Sequence, residues 1–244
     1  MPGDLPPYSI RRSARARHVR LTISPEGEAV VVLPPRAPLR AAAQLVELHE
    51  GWVRRQLARR RQERVRLDDR PALDDGRVLI VNGIPHRVVV VGPGLVAGRA
   101  PVTRSLVPAG DGVEGELVVV DRSTGPGVAE RLEAWLRDEA RSVLGERVAA
   151  AAPRLGVRPG QVSVRDQRTR WGSASRDGSL SFSWRLLLAP PFVLDAVVVH
   201  ELAHLTIAGH SAAFWALVRT HAPRTDESRR WLRTHHRELL AALE

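Results

Sequence analysis

Apolar positions follow two rhythms along the chain. In the first stretch they come as short runs. Residues 18–24 (HVRLTIS) and 28–33 (EAVVVL) flank Pro25-Glu26-Gly27, a pattern that predicts a β-hairpin. From Leu39 the period lengthens. Leu39, Ala42, Leu45, Val46, His49, Trp52, Val53, Gln56 and Leu57 recur at helical spacing, with Arg54, Arg55, Arg59, Arg60 and Arg61 around them, so a surface helix with a basic end is expected. Residues 68–76 read as a loop. RVLIV and HRVVVV surround Asn82-Gly83, a turn signal between strands, and Ile84-Pro85 is expected to delay the second strand. Residues 92–115 lack periodicity, 115–121 (GELVVVD) reads as a strand, and STGPG at 123–127 marks a boundary.

The second stretch is more helical. Val128, Leu132, Trp135, Leu136, Val143, Leu144 and Val148 predict a helix over about 127–151, closed by Pro153 and Gly156. Strands are expected at 161–166 and 179–184, joined by the turn-rich QRTRWGSASRDG. Pro190-Pro191 opens an apolar segment, FVLDAVVVHELAHLTIA, that reads as a buried helix, since proline is tolerated where the first N–H groups lack acceptors. Two more helices are expected at about 211–221 and 226–243, the last capped by Thr225 or Asp226. The fold class is α+β, with a β-rich half at 1–122 carrying one helix and a second domain at 123–244.

Composition narrows the chemistry. There is no cysteine among the 244 residues, so disulfides, thiolate ligands and cysteine nucleophiles are excluded, and a metal would be held by His, Asp or Glu. No apolar run reaches the ~20 residues that span a bilayer, and the N-terminal residues lack a secretory pattern, so a cytoplasmic protein without membrane contact is expected. The net charge is +10, and every basic residue is Arg. Such a surface suits nucleic acid as a partner; it is equally what a GC-rich coding sequence produces, and no aromatic base-stacking module accompanies it.

The informative segment is His200-Glu201-Leu202-Ala203-His204. Residues four apart on a helix stack on one face, so two imidazoles at this spacing converge on one metal ion. Glu201 lies beside that row, within reach of a water on the ion, as in HExxH zinc hydrolases. A catalytic zinc needs a third ligand and one open position, and His210 is the best candidate. On an unbroken helix it would sit ~15 Å from His200, so the chain must turn back after His204. Gly209 supplies the residue for that turn, and Ser211 is placed to cap the next helix. One Zn2+ per chain is the expected cofactor. In the preceding turn-rich segment, Arg168 and Arg170 are candidates for oxyanion or substrate binding, while Trp171, Phe214 and Trp215 read as packing residues. His235-His236 reads as a solvated helix face.

Arg170-Trp171-Gly172-Ser173, WRLLLAPP (184–191) and VVVHELAHLTIAGHSAAFW (197–215), with the N-terminal RRSARARHVRLTISPEGEAVVVLPP and Gly51-Trp52-Val53, resemble the YgjP-like family of metal-dependent hydrolases, related to M48-type, SprT-like and WLM zincins. Ala174 and Ala203 stand where members often carry Cys. The resemblance implies a zincin-like catalytic domain, with the HExxH helix against a small β-sheet, ligands His200, His204 and His210, and Glu201 as catalytic carboxylate. Three functions remain open: a zinc metallopeptidase, whose peptide substrate adds to the strand at 179–184; a metal-dependent phosphohydrolase acting on nucleotides; and an SprT-like protease or binding module acting on nucleic-acid-associated proteins. The N-terminal half is expected to bind substrate or act as scaffold.

Overall fold

The computed structural model describes residues 5–24, 27–68, 73, 76–92, 100–106, 112–120 and 125–244. The chain forms two compact units, Met1–Arg70 and Pro71–Glu244.

In the first unit the predicted hairpin forms: β2 (Arg20–Ile23) pairs antiparallel with β3 (Ala29–Leu33). A strand not foreseen, β1 (Tyr8–Arg12), pairs parallel with the other edge of β3. The expected single helix is two, α1 (Arg40–Leu48) and α2 (Glu50–Asp68), interrupted at His49. The core is small: Val31 and Leu33 of β3 pack with Ala42 and Val46 of α1. Val53 is the one fully buried side chain of α2 among the described residues, while Trp52 and Val65 are exposed.

The second unit opens with a four-stranded sheet of β4 (Val78–Val81), β5 (Ile84–Val91), β6 (Val102–Ser105) and β7 (Gly115–Val120), in the order β4-β5-β7-β6. Asn82 (φ 50°) and Gly83 (φ 84°) form the two-residue turn. β5 begins at Ile84, earlier than expected. The closing pair of such a turn, Val81–Ile84, carries the hydrogen bonds, so Pro85 opposite Ile80 needs no N–H on that side.

This sheet shares its core with the helix that follows. Leu132, Leu136, Ala140, Val143, Leu144 and Val148 of α3 (Val128–Leu155) lie in one buried cluster with Leu79, Val81, Val88, Leu117 and Val119. A polar tie reinforces the contact: Arg104 of β6 donates to His86 Nε2 (3.0 Å) and to Glu139 of α3 (2.8 Å). His86 therefore carries its proton on Nδ1, which donates to the Ile84 carbonyl at 2.8 Å. Strands 78–120 thus belong with the helices after them, and the division of the chain falls near residue 70 rather than at the expected 122/123.

The second sheet comprises β8 (Val162–Arg165), β9 (Gly172–Ala174) and β10 (Leu180–Ser183), in the order β8-β10-β9. β9 lies within the segment expected to be a connection. A buried 3-10 turn, Trp184–Leu188, leads to α4 (Pro191–Ala203), α5 (Ala212–His221) and α6 (Thr225–Leu240). The architecture is mixed α+β, with three small sheets and six α-helices among the described residues. The cap expected of Thr225 or Asp226 is absent. Arg224 occupies the cap position, Thr225 Oγ1 donates to the Ala222 carbonyl at 2.6 Å, and Asp226 pairs with Arg219. No described helix is long and apolar enough to cross a membrane.

Candidate metal centre

α4 begins with Pro190 as cap and Pro191 as first residue, and it is buried on nearly every side. Val193, Leu194, Val197, Val198, Val199 and Leu202 fill the core around it. In such surroundings a polar side chain must be hydrogen-bonded, charge-compensated or functional. The helix ends at Ala203, with His204 still in αR geometry as its C-cap. The amides of Leu205, Thr206 and Ile207 then close onto the carbonyls of Leu202 and Ala203. Gly209 takes φ 76°, a left-handed conformation that suits glycine, and turns the chain back. Ser211 then caps α5, its hydroxyl accepting from the Phe214 amide at 3.3 Å. The helix, glycine turn and capped second helix are as the sequence predicts.

That turn brings three imidazoles together. His200 Nε2 lies 3.2 Å from His204 Nε2 and 3.1 Å from His210 Nε2, and the three ligand atoms fall within 4.8 Å of one another. Two nitrogens bound tetrahedrally at ~2.0–2.1 Å from one ion stand ~3.3 Å apart, so two of the spacings suit a shared ion directly. His204 Nδ1 faces the Ile207 carbonyl at 3.4 Å; a carbonyl can only accept, so this contact places the proton on Nδ1 and leaves a lone pair on Nε2. Lone pairs gathered this closely repel unless a proton or a cation lies between them. Burial and the neighbouring imidazoles push His200 down to about 4, and burial also lowers His204, so the neutral rings are favoured and each can turn an unprotonated nitrogen towards a cation. The donor set therefore fits a divalent cation of the zinc type.

Aromatic rings support the cluster. The fully buried Phe214 ring lies 4.9, 4.5 and 4.9 Å from the centroids of His200, His204 and His210. Trp215 stacks beside His210 at 5.5 Å and also lies 5.5 Å from His200. Both aromatics hold the ligands, which accords with a packing role for Phe214 and extends it for Trp215.

Glu201 is only 6% exposed and faces β9. A Cβ placed on Gly172 would come within 2.7 Å of Glu201 Cγ and Oε1, so strand and carboxylate meet at a distance that only glycine permits. Burial raises the Glu201 carboxyl from 4.5 to about 7, while the charge of Arg170 and the backbone N–H of Ala174 pull the other way. A carboxylate with a proton affinity near neutrality, beside three imidazole nitrogens, is suited to general acid–base work.

The surroundings divide the remaining candidates. Arg170 is exposed and makes no ion pair among the described residues, yet its charge reaches Glu201. Arg168, also exposed, pairs with Glu244 at 3.3 Å. Trp171 packs half-buried against the main core and meets His236 edge-on at 5.3 Å; His235 stacks on Trp231 at 4.1 Å. The two histidines are thus half-buried partners of tryptophans rather than a solvated face. The strand at 179–184 does not offer itself for β-addition either. β10 is central, parallel to β8 on one side and antiparallel to β9 on the other, so the edges of this sheet belong to β8 and β9, and of the two it is β9 that meets Glu201. The close approach of Gly172 and the nearby Arg229 carry no local sequence signal, since neither lies in the HExxH segment.

A family model described as YgjP-like, metallopeptidase domain, matches residues 17–235. No curated protein sequence matches the chain. Among solved structures, the metallopeptidase zymogen of Pyrococcus abyssi abylysin is similar at 26% identity over 36% of this chain and 91% of that one, with a TM-score of 0.34, a likeness too loose to carry an argument. With the family match running across both compact units and over all three histidines, the chain belongs to the YgjP-like metallopeptidase-domain family.

Proposed function

We propose that this protein is a zinc-dependent peptidase in which His200, His204 and His210 hold one Zn2+ and Glu201 is the general base. One observation carries the reading: three imidazole nitrogens converge beside a buried carboxylate whose proton affinity lies near neutrality. The packing of α4 against the edge strand β9 also suits a zincin-like arrangement. When bound, the ion supplies Lewis acidity and makes water acidic enough to be deprotonated near pH ~7.

The chain's own residues supply the rest. Burial keeps His200 and His204 neutral, so their lone pairs are available at neutral pH. The Glu201 carboxylate accepts the proton of the attacking water and returns it to the leaving amine. Gly172 and the Ala174 N–H fix the position of that carboxylate. The free edge of β9 receives an extended peptide through backbone hydrogen bonds, and Arg170 stands at its entrance. The first unit serves as scaffold or as an accessory binding surface.

The test is metal content by elemental analysis together with cleavage of a mixed peptide library by the zinc-loaded full chain. One zinc per chain and cleavage abolished in Glu201→Gln are expected. Nucleotide hydrolysis without peptide cleavage would instead assign the site to phosphate chemistry. Cleavage confined to DNA-bound proteins would assign it to an SprT-like role.

A further inference from the structure

The peptidase reading leaves the substrate's chemistry open, and the charges around the site constrain it. Arg229, in α6, holds its guanidinium 4.3 Å from the centre of the Trp215 ring, the same ring that lies 5.5 Å from both His210 and His200. Its partner Asp226, at 3.7 Å, is already engaged by Arg219 at 2.9 Å. One carboxylate thus serves two guanidinium groups, and a positive charge is left over beside the histidines. Arg170 stands two residues before Gly172, the residue in contact with Glu201, and it has no ion pair among the described residues. Nearby arginines are occupied: Arg168 by Glu244, Arg224 by Glu227.

Resting on the peptidase reading, we propose that Arg170 and Arg229 select peptides with a carboxylate side chain flanking the scissile bond. Two cations near a site raise the local concentration of anionic substrate and repel cationic substrate, and salt screens both effects. A partly exposed guanidinium–carboxylate contact is modest, so each arginine is expected to contribute about three- to tenfold. The two are positioning residues. Their effect belongs in KM, because they hold a part of the substrate that does not react.

The experiment uses the zinc-loaded full chain and three fluorogenic peptides that differ only in Glu, Gln or Lys at the positions flanking the cleaved bond. Expected is kcat/KM falling in the order Glu, Gln, Lys, with the differences in KM and compressed at high salt. Arg229→Glu and Arg170→Glu should each flatten the order, the double variant should invert it, and the Lys variants should preserve it. Arg55→Glu, the same charge change on α2, should leave the order intact. Binding of the same peptides to zinc-loaded Glu201→Gln gives a second readout that needs no turnover. Equal kcat/KM and equal Kd across the three peptides would overturn the selectivity while leaving the peptidase reading standing, as would the same flattening by Arg55→Glu. Neither cleavage nor binding of any peptide would overturn both.

Discussion

Helices α2 and α4 carry polar residues under opposite conditions. α4 is encased in the core, and each polar group it holds needs a reason to be there. α2 rests on the fully buried Val53 and otherwise presents mostly exposed positions. Seven of its nineteen residues are arginine, and none of those whose side chains are described is buried as Glu201 is. A charge is therefore informative in proportion to what its burial costs. The same contrast holds between the two units: residues 1–70 contain 15 Arg against 8 Asp and Glu, yet the chemistry gathers in the other unit, where the charges nearly balance.

Substitutions sharpen that comparison. The largest effect is expected from His204→Ala, which should reduce metal content from about one ion per chain to near zero and abolish hydrolysis, read by elemental analysis beside an activity assay. Glu201→Gln should retain the metal and lower kcat by about 10²–10⁴. Gly172→Ala forces Glu201 or β9 to move. It should lower kcat by at least tenfold and cost ~1–3 kcal/mol in urea unfolding, whereas a stable and fully active variant would remove the strand contact from the mechanism.

A subtler effect concerns pH. Glu201 is raised from 4.5 to about 7, so in metal-free protein its contribution to stability is full below pH 4.5 and is lost as pH rises through 7. His200 is lowered from 6.5 to about 4, so its contribution is full above 6.5 and is lost as pH falls through 4. Between pH 4.5 and 6.5 the two slopes oppose each other, with His204 adding to the histidine side. Metal-free Glu201→Gln should therefore gain stability with rising pH at up to ~1.4 kcal/mol per unit per proton, more steeply than wild type. Equal slopes would show that Glu201 is ordinary in the folded protein. The smallest effect is expected on α2: Arg55→Ala should change unfolding free energy by no more than ~0.5 kcal/mol.

What was legible in the sequence follows the same logic. The HExxH helix, its end at His204, the Gly209 turn and the Ser211 cap are local devices, each written within a few residues. Non-local pairings were less visible. β1 joins β3 across 20 residues without alternating apolar positions of its own, and β9 is three residues long inside a turn-rich segment. The boundary expected at 122/123 follows Gly and Pro punctuation, whereas the division near residue 70 follows which sheet shares a core with α3. The pairing of Arg168 with Glu244, 76 residues away, likewise carries no local signal.

The contact between Gly172 and Glu201 carries one more consequence. β9, an edge strand, also supplies the Ala174 N–H that favours the ionised form of Glu201. If a peptide pairs with β9 as proposed, then by thermodynamic linkage whatever it does to the proton's affinity, the proton does equally to the peptide's. Docking and proton uptake at this cleft are then a single coupled equilibrium, and a calorimeter would register it as protons exchanged with buffer when an uncleaved peptide binds.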